Sequence, residues 1–287
     1  MNSLKPVSLF AVFTILGLAS STIFTSRNIA TGTDKFFTPK PSDSIKTSPS
    51  KMKTIGILGG FGPQATLELE QQLHQFSQQL IPPDHNGGYP PIITIYHRHA
   101  PFILKEDFSP VFPLKADPRL LASAKRLGPM VDFIIIPSNG VHLIQKELEE
   151  ASGRPLLSMI DLTIDEVLKR QWSKIGVVGF MGKPMIYIDR LHQLRLSYET
   201  IDDALQERLN SSIMKVMEGK NDAADSAVAL EVIRQLRSKN VDGIILGCTE
   251  LPLLLGKHAT EKDLINPSLI LAEGAVKYSL TETTFKP

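Results

Sequence analysis

Residues 131–144 read VDFIIIPSNGVHLI, and residues 241–254 read VDGIILGCTELPLL. Both open on Val-Asp, run through a short apolar stretch and break at a tripeptide, Pro137-Ser138-Asn139 in one and Gly247-Cys248-Thr249 in the other. Short runs of Ile, Val and Leu without polar alternation mark strands buried on both faces, as in parallel sheets covered by helices. Each run is preceded, at a similar distance, by another glycine-ended strand: KTIGILGGFGP at 53–63 and KIGVVGFMGKP at 174–184. The chain therefore reads as two units of one plan.

The segments between the strands fit this plan. Residues 64–80 carry apolar side chains at Leu67, Leu69, Leu73, Phe76 and Leu80, which predicts a helix laid on a sheet. PPIITIYHRHAP (90–101) reads as a further strand, and residues 117–133 as a helix leading into the 131–137 strand. DALQERLNSSIMKVMEG and AADSAVALEVIRQLRSKN read as two helices before the 241–247 strand. Strands alternating with helices imply an α/β fold of two pseudo-symmetric domains, each a mainly parallel sheet flanked by helices. Ligands of such sheets collect at the carboxyl ends of the strands. The turn at Gly59–Gly62, the end at Pro137–Asn139 and the end at Gly247–Glu250 should lie there. The GGFG turn lacks the full dinucleotide fingerprint, and its backbone N–H groups suit a carboxylate or phosphate better.

Composition bounds the partners. The chain has 287 residues, 42% of them hydrophobic, and a formal charge of +1 without basic runs, so it carries no electrostatic footprint for nucleic acid and points to a small-molecule ligand. Its single cysteine rules out an intramolecular disulfide or a multi-cysteine zinc site, and no histidine pairing stands in for one; no metal is expected. At the N-terminus VSLFAVFTILGLASSTIF is uncharged and apolar, with the small residues Gly17, Ala19, Ser20 and Ser21 near its end. Residues 1–24 thus read as a signal peptide or membrane anchor, which would make the protein exported, periplasmic or secreted; without a working leader it is cytoplasmic. Residues 25–52, rich in Ser, Thr, Pro and Lys, read as a flexible linker. The two halves are expected at 53–155 plus 267–287, and at 156–266.

GGFGPQATLEL (59–69), PSN (137–139), LGCTELPLLL (246–255) and the closing INPSLILAEGAVKY (265–278) resemble the aspartate/glutamate racemase superfamily that works without pyridoxal phosphate. The resemblance covers roughly residues 53–280. It implies an active site in the cleft between the two domains, no cofactor, and an amino-acid substrate of the aspartate/glutamate or a related type. It allows a homodimer, for which the sequence has no interface signal of its own. In that family two cysteines, one from each half, flank the substrate Cα, one as thiolate and one as thiol. A weakly acidic C–H needs such a pair, and a thiol can be tuned toward neutral pH by its neighbours.

Carried onto this chain, Cys248 matches the second-half cysteine, and Thr249 matches a carboxylate donor beside it. Asn139 matches the residue after the first-half cysteine, but that cysteine is Ser138 here. Gly140 replaces a threonine, and Asn266 stands where aspartate is more usual. Gly60 and Phe61 of the turn and Arg98 of the YHRHAP end are further candidates for holding substrate; Lys183 is an alternative cation, with His97 and His99 beside Arg98. His142 either assists Ser138 or packs at a helix start, and Glu250 either orients Cys248 or forms an ion pair. Three functions stay open: a racemase with one strong and one weak acid/base position, a single-cysteine decarboxylase of the same superfamily, and a non-catalytic amino-acid binding protein.

Overall fold

The computed structural model describes residues 52–106 and 110–281. The expected leader and all but the last residue of the expected linker lie outside the described residues, and Met52 packs against the first core. Among the described residues no helix is long and apolar enough to cross a membrane.

The first half is built from β1 (Ile55–Gly59), α1 (Pro63–Leu80), β2 (Ile92–Tyr96), α2 (Pro118–Leu127), β3 (Phe133–Ile135) and α3 (Gln145–Ser152), followed by α4 (Met159–Lys169). The second contains β4 (Lys174–Val178), α5 (Met185–Gln193), β5 (Ser197–Glu199), α6 (Asp203–Glu218), α7 (Ala223–Ser238), β6 (Gly243–Leu246), α8 (Leu251–Leu255), β7 (Leu264–Ile265) and α9 (Pro267–Ser279). All pairings between these strands are parallel, in the orders β2-β1-β3 and β5-β4-β6-β7. The first sheet has a one-residue counterpart of β7: Ile134 bridges Leu156 in parallel, with Ile134 N donating to Pro155 O and Leu157 N to Ile134 O, both 2.9 Å. The repeat seen in the sequence is thus a repeat of topology, and both quoted apolar runs are buried strands.

Helix α1 follows its pattern only in part. Leu69 and Leu73 are fully buried, but Leu67 is 59% exposed and Leu80 37%. At 100° per residue Leu67 lies on the far side of the helix from Leu69. The buried face also takes Thr66, Gln72 and Ser77.

Each half ends by lending a helix. After the Pro155–Leu157 segment, Ser158 caps α4 by accepting from Asp161 N; Ile160, Ile164 and Val167 then join the core of the second half with Val177, Tyr187 and Ile265. After β7, Asn266 caps α9 by accepting from Ser268 N and Leu269 N; Leu271, Ala275 and Val276 then join the core of the first half with Ile57, Leu69 and Phe133. The two helices cross at Gly274, where a Cβ would lie 2.8 Å from Leu162 Cδ1. Because α9 closes the first core, Leu271→Ala should destabilise the protein by about 2–5 kcal/mol, whereas Leu67→Ala should stay within roughly 0.5 kcal/mol of the parent. Urea unfolding midpoints at constant m-value check both.

Candidate active site

The loop after β6 carries the only cysteine. Gly247 N donates to Val178 O at 2.7 Å, and a Cβ at Gly247 would lie 2.7 Å from that same oxygen, so glycine lets β6 close against β4 before the chain turns. Cys248 follows, 6% exposed, with its Sγ–H donating to Glu250 Oε2 at 3.1 Å; Thr249 Oγ1 donates to the same oxygen at 3.0 Å. Glu250 is 3% exposed. Its other oxygen presses on Gly62, where a Cβ would collide with it. Gly62 is the N-cap of α1 and supplies no side-chain cap. A carboxylate from the second half therefore sits at the N-terminus of a helix of the first, the end where negative charge is favoured. Glu250 orients Cys248; its partners are a thiol, a hydroxyl and a helix end rather than a cation. Burial first, and the Glu250 charge second, push the thiol well above the ordinary cysteine range, so Cys248 rests as S–H.

The end of β3 lies half-buried at Ser138, with Asn139 buried and Gly140 exposed. Asn139 Oδ1 accepts from the Tyr187 hydroxyl at 2.5 Å. Tyr187 is fully buried, and its ring would lie 3.4 Å from a Cβ at Gly247. One aromatic ring from α5 thus links the Ser138-Asn139 strand end to the Gly247-Cys248 strand end. With its oxygen already accepting from Tyr187, Asn139 keeps both amide N–H groups for a ligand. Nothing lies within 4 Å of a Cβ at Gly140, so that position has room for a side chain. The chain does turn helical over Gly140–Ile144, but His142 does not assist the serine hydroxyl. Its Nδ1 donates to the backbone Ser138 O at 2.9 Å and its Nε2 accepts from Met159 N at 3.1 Å, latching the strand end to the start of α4.

The glycine turn is less open than expected. Gly60, at φ +92, crosses the β2 end so closely that a Cβ would lie 2.6 Å from His97 O, and its N–H donates to Thr66 Oγ1 at 2.9 Å. That N–H is therefore satisfied within the turn. Phe61 packs against the first-half core with its ring 5.7 Å from that of His97. His97 is 4% exposed; its Nε2 is buried without a partner, and burial first, then His99, lowers its proton affinity. Arg98 is exposed and stacks on Tyr96, 5.1 Å from the ring centre. Lys183 is exposed after the second glycine turn, and Asn266 is engaged as the α9 cap. Among the described residues no group of three or more His, Cys, Asp or Glu could hold a metal ion.

The sequence profile of the Asp/Glu/Hydantoin racemase family matches residues 58–275. The chain belongs to that family. It is 27% identical over 226 residues to the broad specificity amino-acid racemase RacX of Bacillus subtilis, covering 77% of this chain and 96% of that protein. Its fold is shared with the Picrophilus torridus aspartate racemase (TM-score 0.63, 19% identity, 79% of this chain and 94% of the other) and with an aspartate racemase homologue from Pyrococcus horikoshii (0.62, 24%, 79% and 99%). The family match spans both strand ends described above, from β1 to α9.

One residue of this site carries no sequence signal: Tyr187 sits in a helix with nothing to mark it as a bridge. The latch at His142 is testable through pH. Its burial lowers its pKa from 6.5 to about 4, so the unfolded chain takes up the proton first as pH falls. The stability from keeping His142 neutral is therefore complete above about pH 6.5 and is lost between there and about pH 4, a difference on the order of 3 kcal/mol. His142→Gln should flatten the pH dependence of the unfolding free energy across that window.

Proposed function

We propose that this protein is a cofactor-independent amino-acid racemase of the aspartate/glutamate or a related type, with Cys248 as its one strong acid/base group. The observation that carries this reading is the position of Cys248: the only thiol of a chain in this family, at the carboxyl end of β6, buried and donating to the Glu250 carboxylate. The similarity to RacX of Bacillus subtilis, a broad specificity amino-acid racemase, supports the substrate class. Arg98, at the edge of β2, is the cation we assign to a side-chain carboxylate.

In the resting state Cys248 is a thiol and can deliver its proton to a planar carbanion at Cα, leaving thiolate. In the other direction the thiol proton passes to Glu250 Oε2, and the thiolate removes the Cα proton. Ser138 stands at the first-half strand end, where the resemblance puts the opposing base. A hydroxyl is a far weaker acid than a thiol, so it acts by holding a water or relaying a proton. Exchange at Cα from the Cys248 side should therefore outpace net inversion.

The test is Cα–H exchange of L- and D-aspartate, glutamate and neutral amino acids in deuterated water, followed by NMR beside chiral chromatography. Exchange faster than inversion, abolished by Cys248→Ala and unaffected by chelators, is the expected result. Ser138→Cys should raise inversion by about 10²-fold, the lower range for a positioned acid/base group. Tight binding of an amino acid with no exchange at all would refute the racemase and leave a binding protein.

A further inference from the structure

The Glu250 carboxylate ends at the N-terminus of α1, and α1 carries a second carboxyl group on the stripe that faces it. Gln64 and Glu68, four residues apart, share one face of the helix. That face is turned to the second half, because Gln64 Nε2 donates to Met217 O of α6 over 3.5 Å. Side chains on a helix lean toward its N-terminus, which carries Glu68 back toward Gly62 and Glu250. Glu68 Oε1 accepts from Gln72 Nε2 at 2.9 Å, while Oε2 is buried with no partner. A buried carboxyl oxygen without a donor is costly for an anion and tolerable for a neutral acid. In keeping with this, Glu68 is pushed up to about 7, by burial first and by the Glu250 charge second.

Other titratable groups near α1 have partners of their own. On α9 Lys277 pairs with Glu273, and on α6 Lys215 pairs with Asp225 while Glu218 pairs with Lys220. On α1 itself Glu70 accepts from Thr94, and His74 stacks on Tyr89. Among the described residues, the Glu250 charge adds to burial in raising Glu68.

We propose that Glu68 is a positioning residue for Cys248, acting through Glu250: the three acids form one coupled set in which Glu68 and the thiol each hold a proton while Glu250 carries the charge. This rests on Cys248 being the acid/base group of the proposed racemase. As pH rises, Glu68 releases its proton to solvent and becomes the second anion of the set. Cys248 can then ionise only as the third, which keeps it a thiol and therefore a proton donor. Without the Glu68 charge the thiol would ionise as the second anion, at lower pH.

Cys248 is the chain's only cysteine, so its reaction with iodoacetamide reports this thiol alone. The full-length protein is alkylated across pH 5–10 with no amino acid present, beside Glu68→Gln, whose amide keeps the shape and the Gln72 contact. The variant should react about tenfold faster at pH 8, with its midpoint displaced to lower pH. Superimposed profiles in a folded variant would overturn the proposal. A second measurement needs no variant: carboxyl 13C shifts of the glutamates of the wild-type protein should show one glutamate titrating near neutrality, and ordinary titration of every glutamate would overturn it equally. Neither readout involves substrate, so a failed exchange assay with these results intact would count against the racemase and not against the coupling.

Discussion

The site depends on the reciprocal exchange of α4 and α9. Each half of the chain ends in a short parallel segment followed by a capped helix, and each helix buries its apolar face in the core of the other half. Neither core is complete without the helix its partner lends. This fixes how the carboxyl ends of the two sheets approach one another, which two sheets joined only by a loop would not do. The cross-links of the site, Tyr187 to Asn139 and Glu250 against Gly62, are short polar contacts that hold only where the halves are already in register.

Within that frame the chemistry is dominated by negative charge in a buried setting. Burial takes acidity from the thiol, and the neighbouring carboxylate takes more while accepting its S–H. The helix end under Glu250 partly offsets this by making the carboxylate tolerable there without a cation. A thiol that stays protonated is a competent donor, and that suits a site in which the opposite strand end carries a hydroxyl.

Most of the architecture was legible in the sequence because its signals are local. Unbroken apolar runs ended by glycine or proline specify buried parallel strands, and the doubling of VDFIIIPSN and VDGIILGCT announced the repeat. The amphipathic reading of α1 was right about the helix and wrong about Leu67, since packing selects one side of a helix whose sequence offers apolar residues on two. Gly60 was legible as a tight turn. That its N–H would be taken by Thr66 was not, because a hydroxyl six residues on is brought back only by the helix that follows. For His142 the sequence left two readings, help for the Ser138 hydroxyl or packing at a helix start, and the structure takes the second: the ring bonds the Ser138 carbonyl and a backbone N–H contributed by α4.

The sequence alone determined the α/β repeat, the places where its strands end, the lone thiol at one of those ends and the hydroxyl at the other. These follow from nearest-neighbour rules of strand, turn and helix formation, which act over a few residues. Tertiary structure decided which groups surround the thiol: Glu250 as its acceptor, Gly62 as the seat of that carboxylate, Tyr187 as the bridge between strand ends and Glu68 as a second carboxyl group on the facing helix. All but the first come from segments far from Cys248 in the chain, and proton affinity depends on burial and charge in space, whatever the distance along the sequence.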